Sequence, residues 1–218
     1  MTKVLVTGFG PFGGEKVNPA LEAVKVLRDK QFAGIELVTA EIPTVYHRSI
    51  AVLEQLLDTE RPDVVICVGQ AGGRPDVTVE RVAINVDDAR MPDNDGNRPI
   101  DAPIVADGPV AYWSSLPIKA IVQNIRQAGV PASVSQTAGT FVCNHLFYGL
   151  MHLIADKHPG VRGGFIHIPY LPEQTVRRPG QPSMSLADIV RGLEVAVRTA
   201  VEVQQDLQAS GGQIRSCL

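Results

Sequence analysis

The chain has little from which to build a disulfide framework. Its 218 residues include three cysteines, an odd number, and none forms a C-x-x-C pair. That excludes a disulfide-stapled scaffold and points to a reducing cytoplasmic setting. No apolar run approaches the ~20 residues that span a bilayer, so no membrane partner is expected. The Val/Leu stretch after Lys3 is too short for a signal-peptide core and reads as a strand. Lys and Arg nowhere cluster and the formal net charge is −3, so nothing favours a nucleic acid or another polyanion. Repeats, low-complexity tracts and interdomain linkers are also missing. A chain of this length buries roughly 70 % of its unfolded surface. Residues 1–218 are therefore read as one domain that needs no metal or disulfide staple.

What is present is an alternation of strand and helix signals. Val4–Thr7 and Val64–Val68 are continuous apolar runs, the mark of buried parallel strands. Asn18-Pro19 reads as an N-cap followed by proline in the first helical turn. Helices are predicted from there through Leu27, over Tyr46–Leu57, Ile118–Ala128, Asn144–Ala155 and Ser185–Leu207, with strands at Ile35–Ile42, Ser133–Ser135 and Gly164–Ile168. In the last helix Leu186, Ile189, Val190, Leu193, Val197 and Val201 form the inner stripe. Val77–Val86 reads as one strand with Glu80, Val82, Ile84 and Val86 on a common face. Arg90–Pro103 is polar and Pro-rich and reads as a surface loop. The pattern predicts an α/β fold, a three-layer α/β/α sandwich whose sheet is mostly parallel, with the middle segment making it mixed.

Gly8–Gly13 matches G-x-G-x-x-G after a strand, but no helix opens at the third glycine, as a dinucleotide site requires. The loop is better suited to presenting Phe9 and Phe12 to a flat, uncharged ligand. Cys143 falls at a predicted loop-to-helix junction. A helix N-terminus there lowers a thiol pKa and raises its thiolate fraction; a small buried hydrophobe is the competing reading. Cys67, inside an apolar strand, reads as core, and Cys217 as a free surface thiol. Among five histidines, His167 stands at a strand end before Pro169, where α/β proteins place their sites; a hydrogen-bonded structural histidine is the alternative. His145 and His152 share the helix that follows Cys143 and read as packing or surface residues. Their spacing with Cys143 matches no zinc pattern, so no metal is expected. Glu80 opens an apolar face, and a buried carboxylate needs a partner. That partner is either an imidazole, as in a catalytic triad, or Arg81 or Arg90 in a plain ion pair, unless the side chain turns to solvent.

Four stretches then resemble one family over nearly the whole chain: GFGPFGGEKVNP (8–19), GQAGGRPDVTVERVAIN (69–85), SQTAGTFVCNH (135–145) and GFIHIPYLPEQ (164–174). They look like the signature segments of the type I pyroglutamyl peptidases, also called pyrrolidone-carboxylate peptidases. The resemblance implies a phosphorylase/hydrolase-like fold and a cysteine exopeptidase that removes N-terminal pyroglutamate. It further implies a triad of Glu80, Cys143 and His167, with Arg90 as a helper at the oxyanion. An apolar ring pocket would involve Phe9, Phe12, Thr44, Met91, Phe141 and Val142, with Asn18 and Gln70 as polar neighbours. It implies no cofactor, peptides with N-terminal pyroglutamate as partners, and a homo-oligomer, tetramer or dimer. Two rivals predict different behaviour. A nucleoside phosphorylase-like transferase would need phosphate and ignore thiol alkylation, and a non-enzymatic peptide-binding domain would bind without turnover.

Overall fold

A computed structural model describes residues 1–212; the expectation for Cys217 lies outside them. In chain order the elements are β1 (Thr2–Phe9), α1 (Pro19–Arg28), β2 (Ile35–Ile42), α2 (Arg48–Glu60), β3 (Val64–Gln70), β4 (Val77–Glu80), β5 (Val82–Ile84), β6 (Ala111–Trp113), α3 (Ile118–Gln127), β7 (Ala132–Ser135), α4 (Val142–Asp156), β8 (Arg162–Ile168), α5 (Pro172–Thr175) and α6 (Leu186–Glu202). Six strands form one sheet in the order β2-β1-β3-β8-β4-β7, and β5 and β6 pair separately. Every ladder of the large sheet is parallel except β4 on β8.

The period-2 alternation of the strands divides the core in two. Val4, Val6, Val64, Ile66, Val77, Val79 and Ile166 face the layer containing α1, α3 and α6. Leu5, Phe9, Val65, Cys67 and Phe165 face the layer containing α2 and α4. This is the α/β/α sandwich with a mixed, mostly parallel sheet. Asn18 caps α1 through Oδ1, which accepts from the Ala20 amide at 3.0 Å. β1 and α1 lie so close that a Cβ on Gly8 would sit 2.7 Å from the Ala20 carbonyl oxygen. Gly8 and Phe9 end β1, and the loop from Gly10 to Val17 continues to the cap without forming a helix, so the dinucleotide geometry is absent there.

The predicted strand Val77–Val86 is in fact broken at Arg81. The Arg81 amide bonds Ser135 O at 2.9 Å, closing the β4–β7 ladder, while Arg81 O accepts from Ser114 at 2.8 Å and starts β5–β6. Asn144 then holds β5 against α4, accepting from Ile84 N at 3.0 Å and donating to Ile84 O and Val86 O. Glu80 therefore shares its face with Thr78 rather than with Val82 and Ile84, which are only half-buried. The Arg90–Pro103 loop is mostly exposed but anchored at its centre. Buried Asp93 accepts from the amides of Tyr46, Asp95 and Asn97, at 2.8–3.0 Å.

Candidate active site

The antiparallel β4–β8 ladder sets the site. It pairs Thr78 with His167, so Glu80, two residues on, emerges on the same face beside the imidazole. Glu80 Oε1 lies 2.8 Å from His167 Nδ1, with both side chains buried. An ionised carboxylate can only accept, so Nδ1 carries the proton and Nε2 is left for the cavity. Burial pushes the Glu80 carboxyl up, but hydrogen bonding and charge from His167, then Arg74 and Ser135, outweigh it and hold the group below its usual range. For His167 burial dominates, and its pKa falls despite the support of Glu80.

The cation beside Glu80 is neither Arg81 nor Arg90. Arg81 turns to Gln136 and the Gly211 carbonyl. Arg74 supplies the charge, with Nη1 2.6 Å from Glu80 Oε1. Sequence reading missed Arg74; its only signal was an arginine within the 69–85 segment.

Cys143 occupies the first turn of α4, which begins at Val142. Its amide is among the N–H groups that have no acceptor within a helix. The sulfur packs over Gly69, the β3 residue paired with His167: a Cβ on Gly69 would lie 3.0 Å from Sγ and 2.8 Å from Phe165 Cζ. Burial, followed by the Glu80 charge, pushes the thiol up to about 12, with Arg74 opposing. The lowered pKa expected at a helix N-terminus is therefore not found. A helix terminus contributes about 0.3–1 kcal/mol, under one pKa unit, which is less than the cost of desolvating a thiolate. At neutral pH the resting groups are a thiol and a neutral imidazole. Gly69→Ala is predicted to displace the thiol and lower kcat/KM by up to about 10²-fold, the cost of a 1 Å misplacement. Steady-state kinetics alongside thermal unfolding checks this; unchanged kcat/KM would show that the sulfur does not depend on that gap.

A cavity of about 660 Å³ opens over this group, lined in part by Phe12, Gln70, Met91, Arg90, Phe141, Cys143 and His167. Phe12 and Phe141 approach with ring centroids 6.1 Å apart. Gln70 Oε1 is held by Gln174 Nε2 at 2.9 Å. The other expected pocket residues lie behind the cavity. Phe9 is the buried last residue of β1, packed on Phe165 at 6.3 Å. Strand parity turns it into the core while the loop leaves Phe12 free to face the cavity. Asn18 Nδ2 and Thr44 Oγ1 both donate to Gly10 O, at 2.9 and 3.0 Å, and so fix the glycine loop. Val142 is fully buried in α4.

His145 is buried, with Nδ1 2.7 Å from Asp87 Oδ2 and Nε2 accepting from the His47 amide at 2.8 Å. This second acid–imidazole pair faces Tyr46, whose ring also packs edge-on against Phe141. It braces the cavity wall. His152 contacts Tyr112 instead. Among the described residues no group of three His, Cys, Asp or Glu side chains could hold a metal ion.

Comparison with known proteins places this geometry. A family model described as pyroglutamyl peptidase matches residues 2–203. A pyrrolidone-carboxylate peptidase of Bacillus cytotoxicus is 59 % identical over 212 residues, covering 97 % of this chain and 99 % of the relative. The crystal structure of pyroglutamyl peptidase I from Bacillus amyloliquefaciens superposes with a TM-score of 0.94 at 54 % identity, covering 96 % of this chain and 99 % of that one. A variant of pyrrolidone carboxyl peptidase from Pyrococcus furiosus gives 0.89 at 41 %, covering 92 % and 99 %. Fold and relatives together define the class, a cysteine-type hydrolase on an α/β sandwich. Within that class the chain belongs to the pyroglutamyl peptidase family.

Proposed function

We propose that this chain hydrolyses the amide bond after an N-terminal pyroglutamyl residue, with Cys143 as nucleophile, His167 as proton acceptor and donor, and Glu80 as the group that orients the imidazole. The observation that carries this reading is the 2.8 Å Glu80–His167 contact opening onto the cavity that contains Cys143. As Sγ attacks the scissile carbonyl, the thiol proton passes to His167 Nε2. The oxyanion takes the free Cys143 amide and Arg90, each good donor being worth roughly 3 kcal/mol. His167 then protonates the departing amine, and water, deprotonated by the same nitrogen, cleaves the thioester to release pyroglutamate and the thiol. Because the resting pair is neutral, proton transfer accompanies attack.

Pyroglutamate is a neutral lactam, suited to a slot walled by Phe12, Phe141 and Met91. A free amino terminus would bring an unpaired charge against those side chains and be disfavoured by desolvation. Phe12→Ala is expected to raise KM by about 10–100-fold, the equivalent of ~1–3 kcal/mol of stacking and burial, with little change in kcat. A sharp fall in thermal stability at constant KM would instead make Phe12 a packing residue. The overall reading is tested with a fluorogenic pyroglutamyl amide against the same amide carrying a free N-terminal residue; equal cleavage of both would overturn it.

The same reading includes a cytoplasmic location and a homo-oligomer, tetramer or dimer. Among the described residues no helix is long and apolar enough to cross a membrane. Val110 and Trp113, near and on β6, are 87 % and 68 % exposed, and burying them between copies would remove apolar surface from water. Light scattering on the purified protein tests the assembly; a monomer at micromolar concentration would refute it.

A further inference from the structure

We infer that Arg74 is a positioning residue that clamps the Glu80 carboxylate against His167 and ties that pair to the loop delivering Cys143. One guanidinium gathers the parts. Nη1 lies 2.6 Å from Glu80 Oε1, 2.7 Å from Thr78 Oγ1 and 3.3 Å from Ser135 Oγ, and Nη2 donates to Thr137 O at 2.9 Å. Thr78 and Glu80 are on β4, Ser135 ends β7, and Thr137 lies in the loop leading to α4 and Cys143. Ser135 Oγ also donates to Thr137 O at 3.0 Å, closing the link.

Glu80 Oε1 accepts from both Arg74 and His167, while buried Oε2 has no partner among the described residues. The two short contacts to the carboxylate therefore both fall on one oxygen, with Ser135 adding support beside it. Without Arg74 the fully buried carboxylate has no cation beside it in the resting state, and it tends to take up a proton. A protonated Glu80 no longer stabilises an imidazolium. The charged and titratable groups facing Glu80 are Arg74 from the β3–β4 connection, His167 from β8 and Cys143 from α4. A lysine would keep the charge but could not reach Thr137 O and Glu80 together, because the planar fork is what spans them.

This inference rests on the proposed function, so one arm of its test needs no substrate. Arg74→Met, Arg74→Lys, Glu80→Gln and the Arg74→Met/Glu80→Gln double variant are compared with the wild type. Each is assayed for kcat and KM on a pyroglutamyl amide and for the pH profile of iodoacetamide alkylation at Cys143, located by peptide mapping. Arg74→Met should lower kcat at least about tenfold with KM little changed, and move the acid limb of the alkylation profile up by about one pH unit, the effect of losing an adjacent opposite charge. Arg74→Lys should recover part of both. In the Glu80→Gln background removing Arg74 should add much less than it does in the wild type, only what its tie to Thr137 O and its charge beside Cys143 contribute, since most of its effect runs through the carboxylate. A raised KM with an unmoved alkylation profile would overturn the inference and make Arg74 a substrate contact. Full multiplication of the two defects would overturn it as well. If Arg74→Met does not fold, Arg74→Lys decides: an unshifted profile refutes. Absence of turnover in the wild type, with the alkylation shift intact, would strike the proposed function and leave the role of Arg74 standing.

Discussion

Cys143→Ser should remove turnover of a pyroglutamyl amide, lowering kcat by at least about 10⁴-fold, the scale on which nucleophile replacements act in triad hydrolases. The reason lies in the resting state. Burial holds His167 neutral and weakly basic, so attack depends on a nucleophile that gives up its proton readily. Even pushed up to about 12, the thiol is more acidic than a serine hydroxyl in the same setting, and cysteine is also the more intrinsically nucleophilic. The fold should tolerate the change, because the substitution is nearly isosteric and the side chain is only partly buried at the cavity wall. A melting temperature within a few degrees of wild type, together with lost activity, is the expected pair of results. Retained activity would remove Cys143 from the chemistry.

Glu80→Gln should cost roughly 10³–10⁴-fold in kcat, less than Cys143→Ser, by analogy with isosteric loss of the third triad charge. The amide oxygen can still accept from His167 Nδ1, so orientation is partly kept, but the imidazolium formed during attack loses its counter-charge. Two effects oppose each other. The Glu80 charge raises the thiol pKa, so its loss favours the thiolate; yet Glu80 touches His167 at 2.8 Å, and attraction falls with distance. The imidazolium is hurt more than the thiolate is helped. Alkylation of Cys143 at neutral pH should slow, and an unchanged alkylation pH profile would argue against this balance. The pH dependence of stability follows from the same groups. His167 is depressed, so the folded state is fully stable above the unfolded value of about 6.5 and loses stability as pH falls below it. Glu80 is also depressed; its contribution is present above the unfolded value of about 4.3 and is lost as pH falls through its folded value. Both act in the same direction, and thermal unfolding should show acid destabilisation that Glu80→Gln reduces in its lower-pH part.

Much of this was legible in the chain. Apolar runs identified β1 and β3, Asn18-Pro19 fixed the start of α1, and the stripe from Ile189 to Val197 fixed α6, because each rests on local chemistry. Burial of Glu80 was expected, but for a reason that does not hold: the face it was to share with Val82, Ile84 and Val86 ends at Arg81, and Glu80 is buried because every residue of β4 lies inside the sheet. What failed depends on distant partners. The break at Arg81 is made by Ser135 and Ser114 and secured by Asn144, none adjacent in sequence. Arg74 looks like any loop arginine until the fold brings Ser135 and Thr137, 61 and 63 residues away, beside it. Phe9 and Phe12 look equivalent in the glycine loop; only the end point of β1 sends one into the core and leaves the other at the cavity. The thiol pKa was misjudged because helix polarity is visible in sequence and desolvation is not.

The central claim is that Cys143 attacks a pyroglutamyl amide. Its most direct test is turnover of a fluorogenic pyroglutamyl amide measured against the fraction of Cys143 alkylated, with peptide mapping to locate the label. The account predicts that activity falls in proportion to Cys143 modification and reaches zero when it is complete, with buried Cys67 unlabelled in the folded protein. Complete alkylation of Cys143 with turnover intact would contradict it.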